Sequence, residues 1–230
     1  MTPLGPPDPP AASGRRPLVL AEELVLLCTD PDSGTLRVSR AGFQRAVAAA
    51  VLAELLLTGG LAVDDRRITA FRPVGAGDEV TAGVLARLER TGKGRRPGLD
   101  RAIRQVPRVP AVQSFRERLV ASGHLTLEHR RILLLLPYRA WPPVRPTVGA
   151  EIAERITAAL RAPSGPGAGS PGTVRDQYLA GLLWAAQLDR RLFPGREHSE
   201  LRKSFRTVAR EQPIAQALRR VVGSDNAGGG

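Results

Sequence analysis

Cysteine and the aromatic residues are scarce in this chain of 230 residues. The single cysteine, Cys28, excludes an internal disulfide. Phe, Trp and Tyr make up only 4% of the sequence although 42% of it is hydrophobic, so the core must consist mainly of Leu, Val and Ala. Such a composition favours helices packed on helices over a sheet sandwich. We therefore predict a mainly α fold.

A hydrophobic run long enough to cross a bilayer is also missing. The longest strongly apolar stretch, Ala46 to Leu57, contains Glu54 and falls well short of the roughly 20 residues that a transmembrane helix needs. The N-terminus does not show the basic and then apolar order of a secretory signal. We therefore expect a cytoplasmic protein whose contact with a membrane is peripheral.

Sequence motifs of catalysis and metal binding are absent as well. The segment 92–94 lacks the upstream glycine and the following Ser or Thr of a phosphate-binding loop, and there is no nucleophile elbow. His124, His129 and His198 include no pair at helical ligand spacing. Cys28 lies in an apolar run, which is typical of a core cysteine. We expect no enzymatic activity, no cofactor and no bound metal.

Positive charge is what the chain has in excess. Lys and Arg number 34 against 22 Asp and Glu, which gives a formal net charge of +12. The excess is concentrated between Arg87 and Arg118, where ten basic residues face three acidic ones. Such a run is commonly a solvated face, and it also suits an anionic partner, either a membrane surface or nucleic acid.

One pattern occurs twice, 64 residues apart: an apolar helical run ends at a glycine and continues as a short hairpin. Gly59 and Gly123 follow these runs, where a left-handed C-terminal cap needs a residue without a side chain. Alternating apolar residues then indicate strands, and Asp64-Asp65 and Glu128-His129 suit polar turns. Winged-helix modules and some lipid-binding helical domains share this arrangement. The alternative is coincidence between two ordinary capped helices.

The remaining segments extend these units into one domain. Residues 1–17 predict a disordered Pro/Gly-rich arm and residues 223–230 a flexible tail. Between them, over 18–222, we predict a single globular multi-helix domain with short β-hairpins following two of the helices. The prolines after Leu136 indicate that the second hairpin ends there. The predicted helices cover 18–27, 39–58, 78–90, 111–122, 150–161, 174–192, 199–211 and 213–222, the hairpins 61–71 and 125–136, and the main loops 91–98 and 162–172.

Six segments carry a resemblance to a known family: 18–27, the turn 32–34, 52–61, 119–125, 179–193 and 214–222. In order and spacing they resemble the Golgi phosphoprotein 3 domain, especially its bacterial members, over residues 18–222. The resemblance implies a mostly helical domain that sits on membranes by binding the head group of phosphatidylinositol 4-phosphate. It further implies, for eukaryotic members, an adaptor role toward glycosyltransferase tails, with the hairpin serving membrane contact or oligomer formation.

The resemblance also implies a head-group site, and this chain departs from its pattern. The eukaryotic members place a Trp and an Arg before the first glycine and two Arg before the second. This sequence has Ser39, Ala48, Val109 and Val112 at those positions. An alternative register that matches residues 116–119 restores one arginine. The nearby candidates to bind the head group are Arg40, Arg45, Arg108 and Arg116.

Our functional hypothesis is peripheral binding to an anionic phospholipid or phosphoinositide surface through clustered arginines. Tyr138, Arg139 and Trp141 are the candidate membrane-surface anchors, with packing of Trp141 against the domain as the alternative for that residue. Protein clients and a homo-oligomer are further expected partners. The alternative function is that of a winged-helix DNA-binding regulator, although the helix of the second unit offers few residues suited to base-edge readout.

Overall fold

The computed structural model describes residues 17–72, 79–91, 97–132, 136–161 and 170–228. These residues form ten helices and two antiparallel two-stranded sheets. The helices are α1 (Leu20–Cys28), α2 (Arg40–Leu57), α3 (Glu79–Thr91), α4 (Leu99–Gln105), α5 (Arg108–Ala121), α6 (Val148–Arg161), α7 (Pro171–Ala185), α8 (Asp189–Leu192), α9 (Ser199–Glu211) and α10 (Pro213–Ala227). The strands are β1 (Leu61–Asp64), β2 (Arg67–Phe71), β3 (Glu128–Ile132) and β4 (Leu136–Ala140). The prediction of a mainly α fold is confirmed.

Parts of several predicted segments lie outside the described residues. They are residues 1–16 of the N-terminal arm, 92–96 and 162–169 of the two main loops, residue 78 at the start of the third predicted helix, 133–135 of the second predicted hairpin and 229–230 of the tail. The domain boundaries proposed from the sequence therefore stay a prediction.

Helices α1 and α2 form the centre of the domain. Every residue of α1 is buried. The alanine-rich stretch 46–50 of α2 is also fully buried, because small side chains let the neighbouring helices approach closely. Helix α2 contacts α1, α4, α5, α7 and α10. The large fully buried aromatic side chains are Phe43, Phe115 and Phe205. Trp141 and Phe193 also belong to the core, and most of the remaining core is aliphatic, as the composition predicts.

The repeated unit is present in the structure. Gly59 and Gly123 have φ angles of 75° and 70°, so both helices end in the left-handed conformation that a glycine adopts without strain. The N–H of Gly59 donates to the Leu56 carbonyl, and that of Gly123 donates to the Val120 carbonyl. An antiparallel hairpin follows each cap, β1 with β2 and β3 with β4. The predicted topology of two helix-plus-hairpin units is confirmed.

The second hairpin differs from its prediction in position and length. Glu128 and His129 are not a turn, because they open β3 and pair with Ala140 and Arg139 of β4. The strand β4 also includes Pro137, so the proline does not end the hairpin. Each strand of a two-stranded sheet has an outer edge where a missing N–H breaks no ladder bond, and proline is tolerated at such an edge.

Three helical segments differ from the prediction. Helix α4 was not predicted, although Leu99, Ala102 and Ile103 have helical spacing and are buried. The predicted helix over 174–192 is two helices, because Gln187 has a φ of 60° between α7 and α8. Helix α10 continues to Ala227, five residues past its predicted end and into the segment that was predicted to be a flexible tail.

Buried carboxylates connect α1 to its neighbours. The Glu54 carboxylate accepts the Leu20 N–H at 2.7 Å and forms an ion pair with Arg175 at 2.9 Å. The Glu23 carboxylate lies 2.7 Å from the Arg155 guanidinium, and burial raises its pKa. These carboxylates cap and tie helix ends, because a buried charge needs a charged or hydrogen-bonding partner.

Candidate anion-binding site

Two arginines from different helices come together at one surface of the domain. Arg40 is the first residue of α2 and is exposed, and Arg116 lies in the third turn of α5. Helices α2 and α5 pack against each other through the core. The Nε atom of Arg116 is buried and has no hydrogen-bond partner among the described residues. The packing of these helices brings the Arg40 charge close enough to Arg116 to lower the pKa of its guanidinium.

The surroundings of Arg116 are unusual for an arginine. Its side chain is half-buried, and its Nε is buried without a hydrogen-bond partner among the described residues. Burial lowers the pKa of the Arg116 guanidinium, and the charge of Arg40 lowers it further. Because an arginine keeps its proton in proteins, the charge stays and its desolvation is not offset by a carboxylate. An anion bound between the two side chains would offset it.

The indole of Trp141 lies next to the Arg116 side chain. The guanidinium carbon of Arg116 is 5.6 Å from the centroid of the Trp141 ring, within the range of a cation–π contact. Trp141 itself is buried and belongs to the core. Its backbone N–H donates to the carbonyl of Gly34 at 2.8 Å. The site thus has two cations, an aromatic platform beneath one of them, and a turn that contacts the platform.

Of the four predicted arginines, the structure brings only Arg40 and Arg116 together. Arg45 is instead buried on α2 and forms an ion pair with Asp225 of α10 at 2.7 Å, which compensates its charge. Arg108 is exposed at the start of α5, about 12 Å from Arg116 along the helix axis.

The three predicted membrane anchors have different environments. Trp141 is only 4% exposed and packs against the domain, as in the alternative given for that residue. Tyr138 is half-buried and lies opposite Arg130 in the hairpin. Arg139 is exposed beside His129 on the other face of the hairpin. Only Arg139 has the exposure that a surface contact requires.

A comparison with known protein families identifies the chain. The model of one family, Golgi phosphoprotein 3 (GPP34), matches residues 20–224, nearly the whole sequence. The chain belongs to the Golgi phosphoprotein 3 family. No curated protein matches it.

The structure shows where the four positions lie at which the resemblance places the head-group residues. Ala48 is fully buried, so an arginine does not fit there without rearrangement of the core. Val109, Val112 and Arg116 follow one another on α5 at intervals of three and four residues, and this spacing places all three on one helix face. Arg116 therefore presents its charge on the same face, one turn further along the helix. Arg40 stands directly after Ser39, the remaining position.

Sequence reasoning missed how Arg116 is supported. Its contact with Trp141 joins residues on α5 and after β4, and no local spacing connects them. The Asp32-Ser33-Gly34 turn is predicted as part of a tight loop after the first helix and carries part of the family resemblance, but nothing in the sequence shows that Gly34 contacts Trp141. Within the described residues no helix has the length and apolar character to cross a bilayer, and no cluster of His, Cys, Asp and Glu could hold a metal ion.

Proposed function

We propose that this protein binds the anionic head group of a membrane phospholipid between Arg40 and Arg116. The observation that carries the proposal is the half-buried Arg116 guanidinium, whose buried Nε has no hydrogen-bond partner among the described residues and whose pKa is lowered further by the charge of Arg40. A folded protein rarely keeps such a charge without a purpose, because its desolvation is costly. A phosphate bound there would restore the missing hydrogen bonds.

Arginine is the suitable residue for this task. Its planar guanidinium offers several N–H donors in a fixed geometry that matches two phosphate oxygens, and these charge-assisted bonds are stronger than bonds between neutral groups. The net charge of +12 adds long-range attraction toward an anionic surface. Family membership supports a membrane role, and the resemblance implies phosphatidylinositol 4-phosphate as the lipid to test first. Peripheral membrane association in the cytoplasm and an adaptor role toward protein clients belong to the same proposal.

Vesicle sedimentation tests the proposal. The vesicles contain phosphatidylinositol 4-phosphate, phosphatidylinositol, phosphatidylglycerol or neutral lipid only, at low and at near-physiological salt. The variants are Arg116→Gln and Arg40→Gln. The matched control is Arg206→Gln, which removes the same charge from an exposed position on α9. We expect Arg116→Gln to weaken binding to phosphatidylinositol 4-phosphate vesicles by at least about tenfold, the value of a lost hydrogen bond to a charged group.

The control separates a site from a charged surface. Arg206→Gln should change binding by no more than about twofold, since single exposed charges contribute little at physiological salt. Equal losses for Arg116→Gln and Arg206→Gln would reduce the interaction to net charge. Duplex DNA is included as a competitor. Tight DNA binding without vesicle binding would overturn the proposal in favour of the winged-helix alternative.

A further inference from the structure

We propose that Trp141 and the turn that ends at Gly34 position Arg116, and so set the affinity of the head-group site from outside it. This inference rests on the proposed function. Neither Trp141 nor Gly34 carries a charge, so their effect on a bound phosphate would act through the placement of the Arg116 guanidinium.

The first step is the contact between Trp141 and Arg116. An arginine side chain has many rotamers, and restricting it before the ligand arrives reduces the entropy lost on binding. The Trp141 ring, 5.6 Å from the guanidinium carbon, favours rotamers in which the guanidinium remains close to the indole. Trp141 can do this because it is 4% exposed and its ring is held by the core.

The second step is the contact between Gly34 and Trp141. Besides the hydrogen bond from the Trp141 N–H to the Gly34 carbonyl, the two backbones are in close approach. A Cβ on residue 34 would lie within 2.7 Å of the backbone nitrogens of both Trp141 and Pro142, and the φ of 64° also disfavours any side chain there. Glycine at this position therefore allows the turn to lie against the backbone that carries the indole.

The third step is the rigidity of the turn. The Asp30 carboxylate accepts the Ser33 N–H at 2.8 Å, and this bond holds the pKa of Asp30 below its usual range. From the hairpin, the Arg130 guanidinium donates to the Ser33 carbonyl at 3.0 Å. The turn is thus held from within and from β3. A rigid outer layer of this kind is what keeps a binding side chain in one geometry.

A second arginine–tryptophan pair provides a matched control. The Arg219 guanidinium lies 4.3 Å from the centroid of the Trp184 ring, on α10 and α7. Trp184 is also packed against the core. Replacing either tryptophan therefore removes one cation–π contact and one large side chain, and only Trp141 contacts an arginine of the proposed site.

The experiment compares Trp141→Leu, Trp141→Phe and Trp184→Leu in the full chain, with vesicles containing phosphatidylinositol 4-phosphate. We expect Trp141→Leu to weaken binding about fivefold, from a cation–π contact of moderate strength. Trp141→Phe should restore binding to within about twofold, since an aromatic ring remains. Trp184→Leu should bind like the wild type. Gly34→Ala should weaken binding as Trp141→Leu does, because the added Cβ displaces Trp141.

A fluorescence measurement does not depend on a disruptive variant. In Trp184→Phe protein, Trp141 is the only tryptophan, and inorganic phosphate is added as the probe. We expect phosphate to cause a saturable change in Trp141 emission. This change should be absent from the double variant that carries both Trp184→Phe and Arg116→Gln. Lack of any change in a protein that still binds vesicles would overturn the positioning role.

The outcomes also separate this inference from the function on which it rests. If Arg116→Gln abolishes vesicle binding while Trp141→Leu and Gly34→Ala bind like the wild type, the positioning role is wrong and the proposed function stands. If Arg116→Gln itself binds like the wild type, the proposed function is wrong.

Discussion

The ion pair between Arg45 and Asp225 offers a quantitative test of how α10 is held to the domain. The Arg45 side chain is 7% exposed and its Nε lies 2.7 Å from an Asp225 oxygen, while Arg104 approaches the other oxygen at 2.9 Å. Asp225→Asn leaves a buried guanidinium without its counter-charge. Breaking a fully buried pair costs about 3–5 kcal/mol, and because Asp225 is 29% exposed we expect about 2–3 kcal/mol here.

Urea and thermal unfolding measure this change. In a domain of this size the expected loss lowers the unfolding midpoint by roughly 5–10 °C. The control is Asp100→Asn, which breaks the bidentate pair with Arg220 at 2.7 Å, where both side chains are about 40% exposed. That pair should contribute less than about 1 kcal/mol because solvent screens it. Equal effects of the two substitutions would show that burial of Arg45 does not determine the strength of its pair.

The same pair predicts a dependence on pH. The hydrogen bond from Arg45, and next the one from Arg104, hold the pKa of Asp225 below its usual 3.8. A carboxyl group whose pKa is lower in the folded state stabilises the fold above its unfolded pKa, and this stabilisation is lost as the pH falls through the folded value. The difference between wild type and Asp225→Asn should therefore be full near neutral pH and shrink below about pH 4. A difference that stays constant into acid would contradict the assigned ion pair.

Two further predictions concern glycine and cysteine. Gly59→Ala should lower the free energy of unfolding by about 1–2 kcal/mol because the φ of 75° at this position is unfavourable for alanine. Gly83→Ala lies inside α3, where an added Cβ meets no atom, and should raise the free energy of unfolding by about 0.5–1 kcal/mol. Opposite signs in chemical denaturation are expected, and a loss at both positions would refute the role of φ. Burial raises the pKa of the Cys28 thiol to about 12, so iodoacetamide should modify it only after unfolding, as mass spectrometry with and without urea would show. Rapid modification of the native protein would contradict the burial of Cys28.

Local sequence patterns predicted the elements that depend on local physics. The glycine after each apolar run predicted both helix ends, because the left-handed cap concerns one residue and its immediate neighbours. The predicted ends of α10 and of the second hairpin were wrong because those ends depend on contacts with other parts of the chain. Ser224 and Asp225 are weak helix formers, and the helix continues through them because Asp225 pairs with Arg45 in the core.

The candidate site shows the same division. Composition and resemblance gave four candidate arginines, Arg40, Arg45, Arg108 and Arg116, and could not rank them. The ranking depends on which guanidinium meets a carboxylate. Asp225 is 180 residues from Arg45 and compensates its charge, while no described carboxylate reaches Arg116.

The sequence by itself determined the helical class, the glycine caps, the two helix-plus-hairpin units and the family, because these follow from composition and from the spacing of residues along the chain. Only the tertiary structure decided that Arg45 is paired, that Trp141 is buried beneath Arg116, and that Gly34 contacts Trp141. Such contacts join distant segments of the chain. Helices with similar apolar faces could pack in many arrangements, and the arrangement that forms decides which residues meet. The chemistry of the site therefore depends on the packing of α2, α5 and the second hairpin.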